Sequence, residues 1–492
     1  MMIARSCFLW AYAGLPLRLS STRPSRLRSL LLRANNAGRL GCIILSMLKR
    51  IPKRIWVPAA AILAVIGIYL LPPVHDRLAW RVDDVRTQIK YFFDPPDQAI
   101  FLPTQQAAID AIVNATMQAH ATAEAVTRTP RATSTRAGPT ARPTGTPTPL
   151  PAKVNLPGVK YVDQRDRWNY CAPANLTMAL NFWGWTGNRD DVAKAVKPGE
   201  NDPSKSFIDR GFTDKNVMPY EMVDFVNNET EYRALFRYGG DIDLVRRLLA
   251  RGIPLVAEKG YYEADYKGKV AWLGHYQFVT GYNDQAEELI VQDTWNDGPN
   301  FHIPYGKFME GWRSFNFAFI VVYPLDRESQ TLSILGPYAD AAWAAQNALD
   351  RADQEVQQLE GIDLLFAWFA KGTSHVALQQ YVDAASAYDQ AFSLYALLGD
   401  NDNERPFRLM WYQTGPYWAY YYSGRYQDVI NLAENTFKTA SAPTLEESLY
   451  WRGLAKYALG NTAGGIEDVR RSVYYNRNFT AGISKLQEWG VR

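Results

Sequence analysis

The sequence predicts a multidomain protein in which an α+β domain follows a single transmembrane helix and a disordered linker and precedes an all-α region. Three observations predict this order: an uncharged apolar run at residues 55–71, short apolar runs separated by turn residues from about residue 154, and apolar residues at helical spacing from about residue 339 to the end. The chain has 492 residues, 47% of them hydrophobic, which is enough for about two to four domains with buried cores.

Charge is concentrated at the N-terminus. Residues 1–54 contain eleven Lys and Arg and no Asp or Glu, although the formal net charge of the whole chain is only +3, so the remaining residues carry −8. A nucleic-acid-binding protein would be expected to carry basic charge on a folded domain. The distribution therefore excludes a nucleic-acid partner.

Cysteine usage excludes two further classes of protein. The three cysteines are Cys7, Cys42 and Cys171, and only Cys171 follows the apolar run. A fold held together by disulfides, or a zinc site with several thiolates, needs more cysteines in one domain. No cofactor or metal is predicted.

The apolar run predicts a membrane anchor at residues 55–74, because about 20 residues are needed to cross a bilayer. The basic flank of Lys49, Arg50, Lys53 and Arg54 indicates a cytoplasmic N-terminus and an extracellular location for residue 75 onward. No small-residue cleavage site follows, so an uncleaved anchor is expected rather than a signal peptide. A buried core helix is the structural alternative. Met47 also begins a complete anchor, so residues 1–46 are open to being a start-site artefact.

Residues 75–127 are predicted to be a stalk that is helical in part, since RVDDVRTQIKYFF and QQAAIDAIVNATMQAHATAEAV are amphipathic. Residues 128–152 are rich in Pro and Thr and contain no aromatic residue, no acid and one leucine. Such a segment has too little apolar surface to fold. We therefore expect a disordered linker.

A nucleophile is predicted in the α+β domain, residues 153–325. Cys171 precedes a helical pattern with Pro173 in its first turn, and the positive end of a helix dipole favours the thiolate. Gln164, seven residues upstream, could direct its amide toward the same point as an oxyanion donor.

A proton carrier and its partner are predicted on a hairpin. We expect a strand that begins at His275, a turn, and a second strand that ends at Asp293. The two residues would then lie at the same end of adjacent strands, where a carboxylate can orient an imidazole. A buried structural cysteine and a structural histidine are the alternative for each residue taken singly.

The motifs together resemble the bacteriocin-processing, or double-glycine, peptidases, cysteine peptidase family 39, which have papain-like folds. Gln164, Cys171-x-Pro173-Ala174, Met178, His275, Gly281-Tyr282 and Asp293 occur in the family's order, and Phe308-x-x-x-Trp312 matches its closing helix. The resemblance covers about residues 158–324. It implies a cysteine peptidase with Cys171 as nucleophile, His275 as general base and acid, Asp293 as orienting residue and Gln164 as oxyanion donor.

Two residues depart from the family pattern, because Ala172 replaces the usual Gly and Thr294 replaces the usual Pro. No phosphate-binding G-x-x-x-x-G-K-[ST] loop is present, which excludes the peptidase half of an ATP-driven exporter. No H-E-x-x-H or G-x-S-x-G motif occurs, which excludes the common metalloproteases and serine hydrolases.

The C-terminal region, residues 326–492, resembles tetratricopeptide repeats. Tyr381, Gly424 and Gly460 each begin a similar pattern of small and large residues that would let paired helices nest. The resemblance implies a module that binds a protein partner. A helical bundle that only packs against the peptidase domain is the alternative.

The combined prediction is a single-pass cell-membrane protein with an extracellular cysteine peptidase domain that hydrolyses peptides or proteins. Two other hypotheses stay open. In one, the papain-like domain is an inactive peptide-binding scaffold; in the other, it is an amidase that acts on cell-wall peptides.

Overall fold

The computed structural model of the chain describes residues 53–103, 149–165, 167, 169–199, 202, 205, 216–264, 270–399 and 404–491. The predictions for the basic segment before residue 53, for the second amphipathic stretch of the stalk and for residues 128–148 lie outside the described residues. The chain divides between Trp80 and Arg81 into two units.

Two consecutive helices occupy the predicted anchor and the start of the stalk: α1 (Lys53–Tyr69) and α2 (Pro72–Phe93), followed by a 3₁₀ turn at Pro96–Gln98. The predicted span of residues 55–74 is thus divided between α1 and the first turn of α2. Proline fits the first turn of a helix, where its missing N–H would have no partner, so Pro72 and Pro73 suit the start of α2. Within the described part of the chain, no helix reaches the length and apolarity that a membrane crossing requires.

The α+β domain contains seven described strands and five α-helices. Its elements are β1 (Lys153–Asn155), α3 (Cys171–Phe182), α4 (Arg189–Val196), α5 (Pro219–Glu229), β2 (Tyr232–Arg237), α6 (Ile242–Leu249), β3 (Leu255–Ala264), β4 (Val270–Asn283), β5 (Glu288–Gln292), β6 (Phe301–Pro304), α7 (Tyr305–Arg313) and β7 (Phe319–Pro324).

The strands form one antiparallel sheet in the order β2-β7-β3-β4-β5-β6, and β1 pairs with β4 outside this path. The pairing of β4 with β5 is irregular between Val279 and Gly281, where β1 approaches. A Cβ atom on Gly281 would lie 2.5 Å from the Val154 carbonyl oxygen, so only glycine fits at this contact. The longest strand of the sheet, β4, therefore has β3, β5 and β1 as neighbours.

Apolar side chains cover both faces of the sheet. On one face, Val256, Tyr276 and Phe278 pack with Leu176 and Leu180 of α3. On the other face, the residues that alternate with them pack against α6 and α7. The sheet is thus buried between two helical layers, as an α+β domain requires.

The C-terminal region is entirely helical among the described residues, so the prediction of an α+β domain followed by an all-α region is confirmed. After the 3₁₀ turn Leu325–Arg327 its elements are α8 (Glu328–Leu335), the 3₁₀ turn Gly336–Ala339, α9 (Ala341–Glu355), α10 (Gly361–Ala377), α11 (Tyr381–Leu397), α12 (Leu409–Tyr412), α13 (Gly415–Tyr422), α14 (Tyr426–Thr439), α15 (Glu446–Ala458), α16 (Thr462–Tyr475) and α17 (Thr480–Glu488).

Neighbouring helices of this region approach closely at glycines. A Cβ atom on Gly372 of α10 would lie 2.6 Å from the Tyr388 ring of α11, and one on Gly453 of α15 would lie 2.8 Å from the Gly465 carbonyl oxygen of α16. Small residues at such contacts allow helix pairs to nest. The arrangement is compatible with the predicted resemblance to tetratricopeptide repeats.

The segment after Trp80 packs on the C-terminal helices. The Tyr91 hydroxyl donates to the Thr439 carbonyl oxygen at 2.7 Å, and the Lys90 ammonium donates to the Phe437 carbonyl oxygen at 3.1 Å. Phe101 is buried edge-on against Phe392, with ring centroids 4.9 Å apart. Residues 81–103 are therefore part of the same unit as the α+β domain and the helical region.

Candidate active site

Cys171 is the first residue of α3 and is a free, partly buried cysteine. No side chain caps this helix end, and the residue before the N-cap Tyr170 is Asn169, whose positive φ of 52° is a conformation that asparagine tolerates. The first N–H groups of the helix therefore point toward the region of the thiol, as the sequence predicts for Cys171.

His275 and Asp293 meet in the interior of the domain. The His275 Nε2 atom lies 3.1 Å from Asp293 Oδ2, and both residues are buried. His275 also lies close enough to the Cys171 side chain for each group to shift the pKa of the other. Because Nε2 faces the carboxylate, Nδ1 is the ring nitrogen left for the thiol. The structure thus brings the three residues together in the order thiol, imidazole and carboxylate.

The hairpin that carries His275 and Asp293 differs from the predicted one in its first strand. A strand that begins at His275 is wrong, because β4 begins five residues earlier at Val270. The strand begins earlier because Val270 to Gly274 pair with Gly260 to Ala264 at the end of β3. β3 lies on the opposite side of β4 from β5, the other strand of the predicted hairpin. Asp293 follows directly after the last residue of β5, as the sequence predicts.

Opposing effects act on the acidity of the thiol. Burial alone raises the pKa of Cys171, but the hydrogen bond and the charge of His275, the Tyr276 backbone N–H and the Lys197 ammonium together lower it below the ordinary value. Burial lowers the pKa of His275, whereas the Asp293 carboxylate and the thiol raise it, with a net pKa of about 10. The arrangement favours a thiolate beside an imidazolium.

Asp293 is held by several donors that sequence reasoning missed. The Gln277 amide donates to Asp293 Oδ2 at 2.7 Å, and the backbone N–H groups of Trp295 and Asn296 donate to Oδ1 at 2.8 and 3.1 Å. Together with His275 they hold the pKa of Asp293 well below its usual range despite burial. Gln277 follows His275 by two residues on β4, so the two side chains point to the same face of the strand. This spacing is visible in the sequence.

Asn175 joins the two elements that carry Cys171 and His275. Its amide nitrogen lies 2.8 Å from the Cys171 carbonyl oxygen and 2.8 Å from the Tyr276 carbonyl oxygen, and the residue is fully buried. The first turn of α3 is thereby fixed to β4. Asn175 follows Cys171 by four residues, one helical turn, but nothing in the local sequence indicates its contact with a strand a hundred residues away.

Gln164 is fixed by the residue that departs from the family pattern. The Thr294 hydroxyl donates to Gln164 Oε1 at 3.0 Å, and the Gln164 backbone N–H donates to the Thr294 carbonyl oxygen at 2.9 Å. A proline at residue 294 could not make the side-chain contact. Since the amide oxygen is engaged, the amide nitrogen of Gln164 is the group that remains to act as a donor.

Among the described residues, one group of three carboxylates has oxygens within 4.8 Å of one another: Glu221, Glu446 and Glu447. Asn476 donates to Glu221 at 2.8 Å and to Glu446 at 3.0 Å, and Tyr220 donates to Glu447 at 2.9 Å. These hydrogen bonds explain why the three carboxylates lie together: they belong to a polar contact between α5 and the helical region.

A partly buried thiol, an imidazole and a carboxylate on an α+β scaffold are the groups that thiol hydrolases use. Residues 157–319 match the family model described as "Peptidase_C39 like family". This match confirms the resemblance inferred from the motifs around Cys171, His275 and Asp293. No curated protein matches the chain.

Solved structures of similar proteins cover about a third of the chain. A C39-like protein from Bacillus anthracis is 18% identical, with a TM-score of 0.27, over 35% of this chain and 97% of its own. Xylellain, a cysteine protease from Xylella fastidiosa, is 19% identical, with a TM-score of 0.25, over 36% and 87%. The peptidase domain of Streptococcus ComA, a bi-functional ABC transporter, is 16% identical, with a TM-score of 0.24, over 34% and 99%.

Proposed function

We propose that this chain is a membrane-anchored, extracellular cysteine peptidase that hydrolyses peptide bonds at Cys171. The observation that supports this most directly is the contact of the Cys171 thiol with His275, an imidazole that Asp293 holds at 3.1 Å. Burial raises the pKa of the thiol, but His275 contributes to lowering it below its ordinary value. The thiolate is the form that attacks a carbonyl carbon.

In the first half of the reaction, the Cys171 thiolate forms a bond with the carbonyl carbon of the scissile peptide. The Gln164 amide nitrogen and the N–H groups at the start of α3 would stabilise the oxyanion that forms. The His275 imidazolium then donates its proton to the amine as the C–N bond breaks, which leaves an acyl-enzyme.

In the second half, neutral His275 accepts a proton from water as the water oxygen attacks the thioester carbon. Collapse of this second tetrahedral intermediate releases the carboxylic acid and regenerates the thiolate and imidazolium. Asp293 keeps the imidazole oriented through both halves, and Gln277 keeps Asp293 in place through its 2.7 Å hydrogen bond.

The test combines selective alkylation with hydrolysis of a peptide library. We expect iodoacetamide to modify Cys171 at pH 6 faster than it modifies a short unstructured cysteine peptide, because the lowered pKa retains thiolate at that pH. Mass spectrometry of the Cys171 peptide separates this signal from Cys7 and Cys42. Cys171→Ala should abolish hydrolysis and leave the thermal unfolding midpoint unchanged. A Cys171 thiol no more reactive than the reference peptide would contradict the proposal.

The same assays separate the two other hypotheses. Peptide binding by wild type and by Cys171→Ala, without cleavage by either protein, would indicate an inactive scaffold. Release of peptidoglycan fragments without cleavage of linear peptides would indicate an amidase.

The membrane location is supported by the exposed apolar side chains of α1. Ile62, Leu63 and Val65 are more than half exposed, and Lys53 and Arg54 precede them. Apolar side chains in these numbers are expected to contact lipid rather than water. The proposal predicts that the full chain stays in the membrane fraction after alkaline carbonate extraction and that Leu63→Arg with Val65→Arg releases it; retention of this double variant would contradict it.

Binding of a protein partner by the helical region is the second part of the proposal. Its support is the pairing of α10 with α11 and of α15 with α16 through glycine contacts. The helical region contacts the α+β domain, since Arg408 donates to the Trp272 carbonyl oxygen at 3.2 Å and Asn316 donates to Ser374 at 2.9 Å. A substrate bound to the α+β domain would therefore be the partner nearest to the helical region.

A further inference from the structure

A cavity of about 460 Å³ lies between the α+β domain and the helical region. Tyr238, Glu258 and Phe315 line it from the α+β domain. From the helical region it is lined by Val376 and Ala377 of α10, Trp418 of α13, Trp451 of α15 and Phe479 just before α17, among others. Neither domain alone encloses this volume, which is in the range of about 300 to 1,000 Å³ that binds small molecules.

The cavity adjoins the candidate active site. Glu258 and Tyr412, both in its wall, lie close enough to Cys171 to feel the charge of its thiolate. Tyr412 covers Gly274, the residue directly before His275, and a Cβ atom on Gly274 would lie 2.7 Å from the Tyr412 ring. A peptide bound across Cys171 therefore passes beside this cavity.

Aromatic side chains are the most frequent kind in the wall of the cavity. Among the described residues that line it there is no Lys, Arg or His, and the two carboxyl groups belong to Glu258 and Glu447. Glu447 is engaged by the Tyr220 hydroxyl at 2.9 Å. A substrate with an acidic side chain at this point would find no counter-ion among these residues.

Glu258 presents a neutral carboxyl group to the cavity. The residue is buried, and burial raises the pKa of its carboxyl well above the ordinary value. The Tyr276 hydroxyl on the neighbouring strand donates to the Val217 carbonyl oxygen at 3.0 Å. The base of the cavity is thus polar but uncharged.

We propose that this cavity is the specificity pocket of the enzyme and that it takes bulky, uncharged, preferably aromatic side chains of the substrate next to the scissile bond. This inference rests on the proposed peptidase function. It assigns the helical region a direct role in substrate selection, because this region supplies about two thirds of the described residues that line the wall.

The experiment uses the full chain and a quenched fluorescent peptide library in which Phe, Leu, Gly, Asp or Lys occupies each position in turn. At one position near the scissile bond we expect kcat/KM for Phe to exceed that for Asp and for Lys by about tenfold or more, since burial of a large apolar side chain in a preformed pocket is worth that much. Ala377→Trp, which narrows the pocket at the exposed end of α10, should reduce hydrolysis of the Phe peptide about tenfold and leave the Gly peptide unchanged.

Ala463→Trp is the matched control, because Ala463 is also an exposed helical alanine but does not line the cavity. It should leave the order of substrates unchanged. Equal rates for all peptides, a preference for Lys or Asp, or an Ala377→Trp variant identical to the control would overturn the inference while the peptidase function stands. If wild type cleaves nothing, the peptidase proposal fails, and calorimetric binding of the Phe and Asp peptides to Cys171→Ala decides the pocket: equal affinities overturn it.

Discussion

The α+β domain and the helical region each contain a buried cluster of charged side chains, and the two clusters differ in what they can do. In the α+β domain, Asp293 holds His275 at 3.1 Å. In the helical region, Asp389 binds Arg425 through two contacts of 2.6 and 2.9 Å, and Asp428 binds the same guanidinium at 2.8 Å. All five side chains are almost completely buried.

The difference lies in which group can change its charge. Arg425 is always protonated and its donors are taken by fixed carboxylates, so this cluster can only hold α11 and α14 together. His275 can lose a proton, and its far nitrogen faces a thiol that is only partly buried. Burial raises the pKa of Asp389 even beside Arg425, whereas the donors around Asp293 hold the pKa of that carboxyl low. A charge cluster is poised for chemistry when one member titrates and one reaches solvent.

The largest effect is expected from His275→Ala. Loss of the proton carrier should reduce kcat by about 10³-fold or more. The alkylation rate of Cys171 at pH 6 should fall as well, because burial alone raises the pKa of the thiol. The matched control is His302→Ala, since His302 lies 3.1 Å from Glu288 but the pair is on the surface. Equal losses in the two variants would contradict a catalytic role for His275.

Removal of Asp389 from its cluster with Arg425 and Asp428 should lower the stability of the fold without changing the reactivity of Cys171. Asp389→Leu leaves the Arg425 guanidinium short of a counter-ion in the interior, and we expect the free energy of unfolding to fall by about 3 to 5 kcal/mol. Urea denaturation measures this loss. The alkylation rate of Cys171 in the folded variant should equal that of wild type. A variant with unchanged stability would show that the cluster contributes nothing to the fold.

The two clusters should also differ in their response to pH. The folded-state pKa of His275 is raised to about 10, above its ordinary value of 6.5. Its contribution to stability is therefore complete below pH 6.5 and is lost as pH rises toward 10. The difference in free energy of unfolding between wild type and His275→Ala should shrink over this interval, whereas the difference for Asp389→Leu should stay constant. Parallel pH profiles for both variants would contradict the assignment of a titrating imidazolium.

The smallest effect is expected at the oxyanion donor. Thr294→Val removes the hydrogen bond to Gln164 Oε1 but keeps the backbone contact between the two residues, and kcat should fall by about fivefold, the equivalent of one neutral hydrogen bond. KM should be unchanged, and Thr294→Ser should restore the rate. A change in KM alone would place Thr294 in substrate binding instead.

Local patterns were sufficient to predict the parts of the site that lie at the ends of secondary structure. Cys171 begins a helix whose apolar period and early proline are visible in the sequence, and Asp293 follows a strand with a clear apolar run. The start of β4 was not predictable in this way. Val270 to Gly274 pair with the end of β3, and a pairing of this kind has no signature in either segment alone.

The contacts between domains were likewise beyond local pattern. Tyr412 lies on a four-residue helix that has too few turns for a period to show, yet it covers Gly274 beside the imidazole. Lys197 and Asn175 act on Cys171 through contacts that depend on the fold of the intervening chain. The residues of the candidate site could be predicted from sequence motifs, but the groups that shift their pKa values could be identified only from the structure.

The packing of Phe101 and Tyr91 on the C-terminal helices places residues 81–103 in the same unit as residue 149 onward. A single cut of the chain between residues 103 and 149 would therefore not separate the two parts, since non-covalent contacts would retain both. Shortened versions of the chain that begin at residue 150 would instead lose the Phe101 ring and leave Phe392 and Tyr420 open to solvent. The smallest self-sufficient unit therefore starts near residue 81.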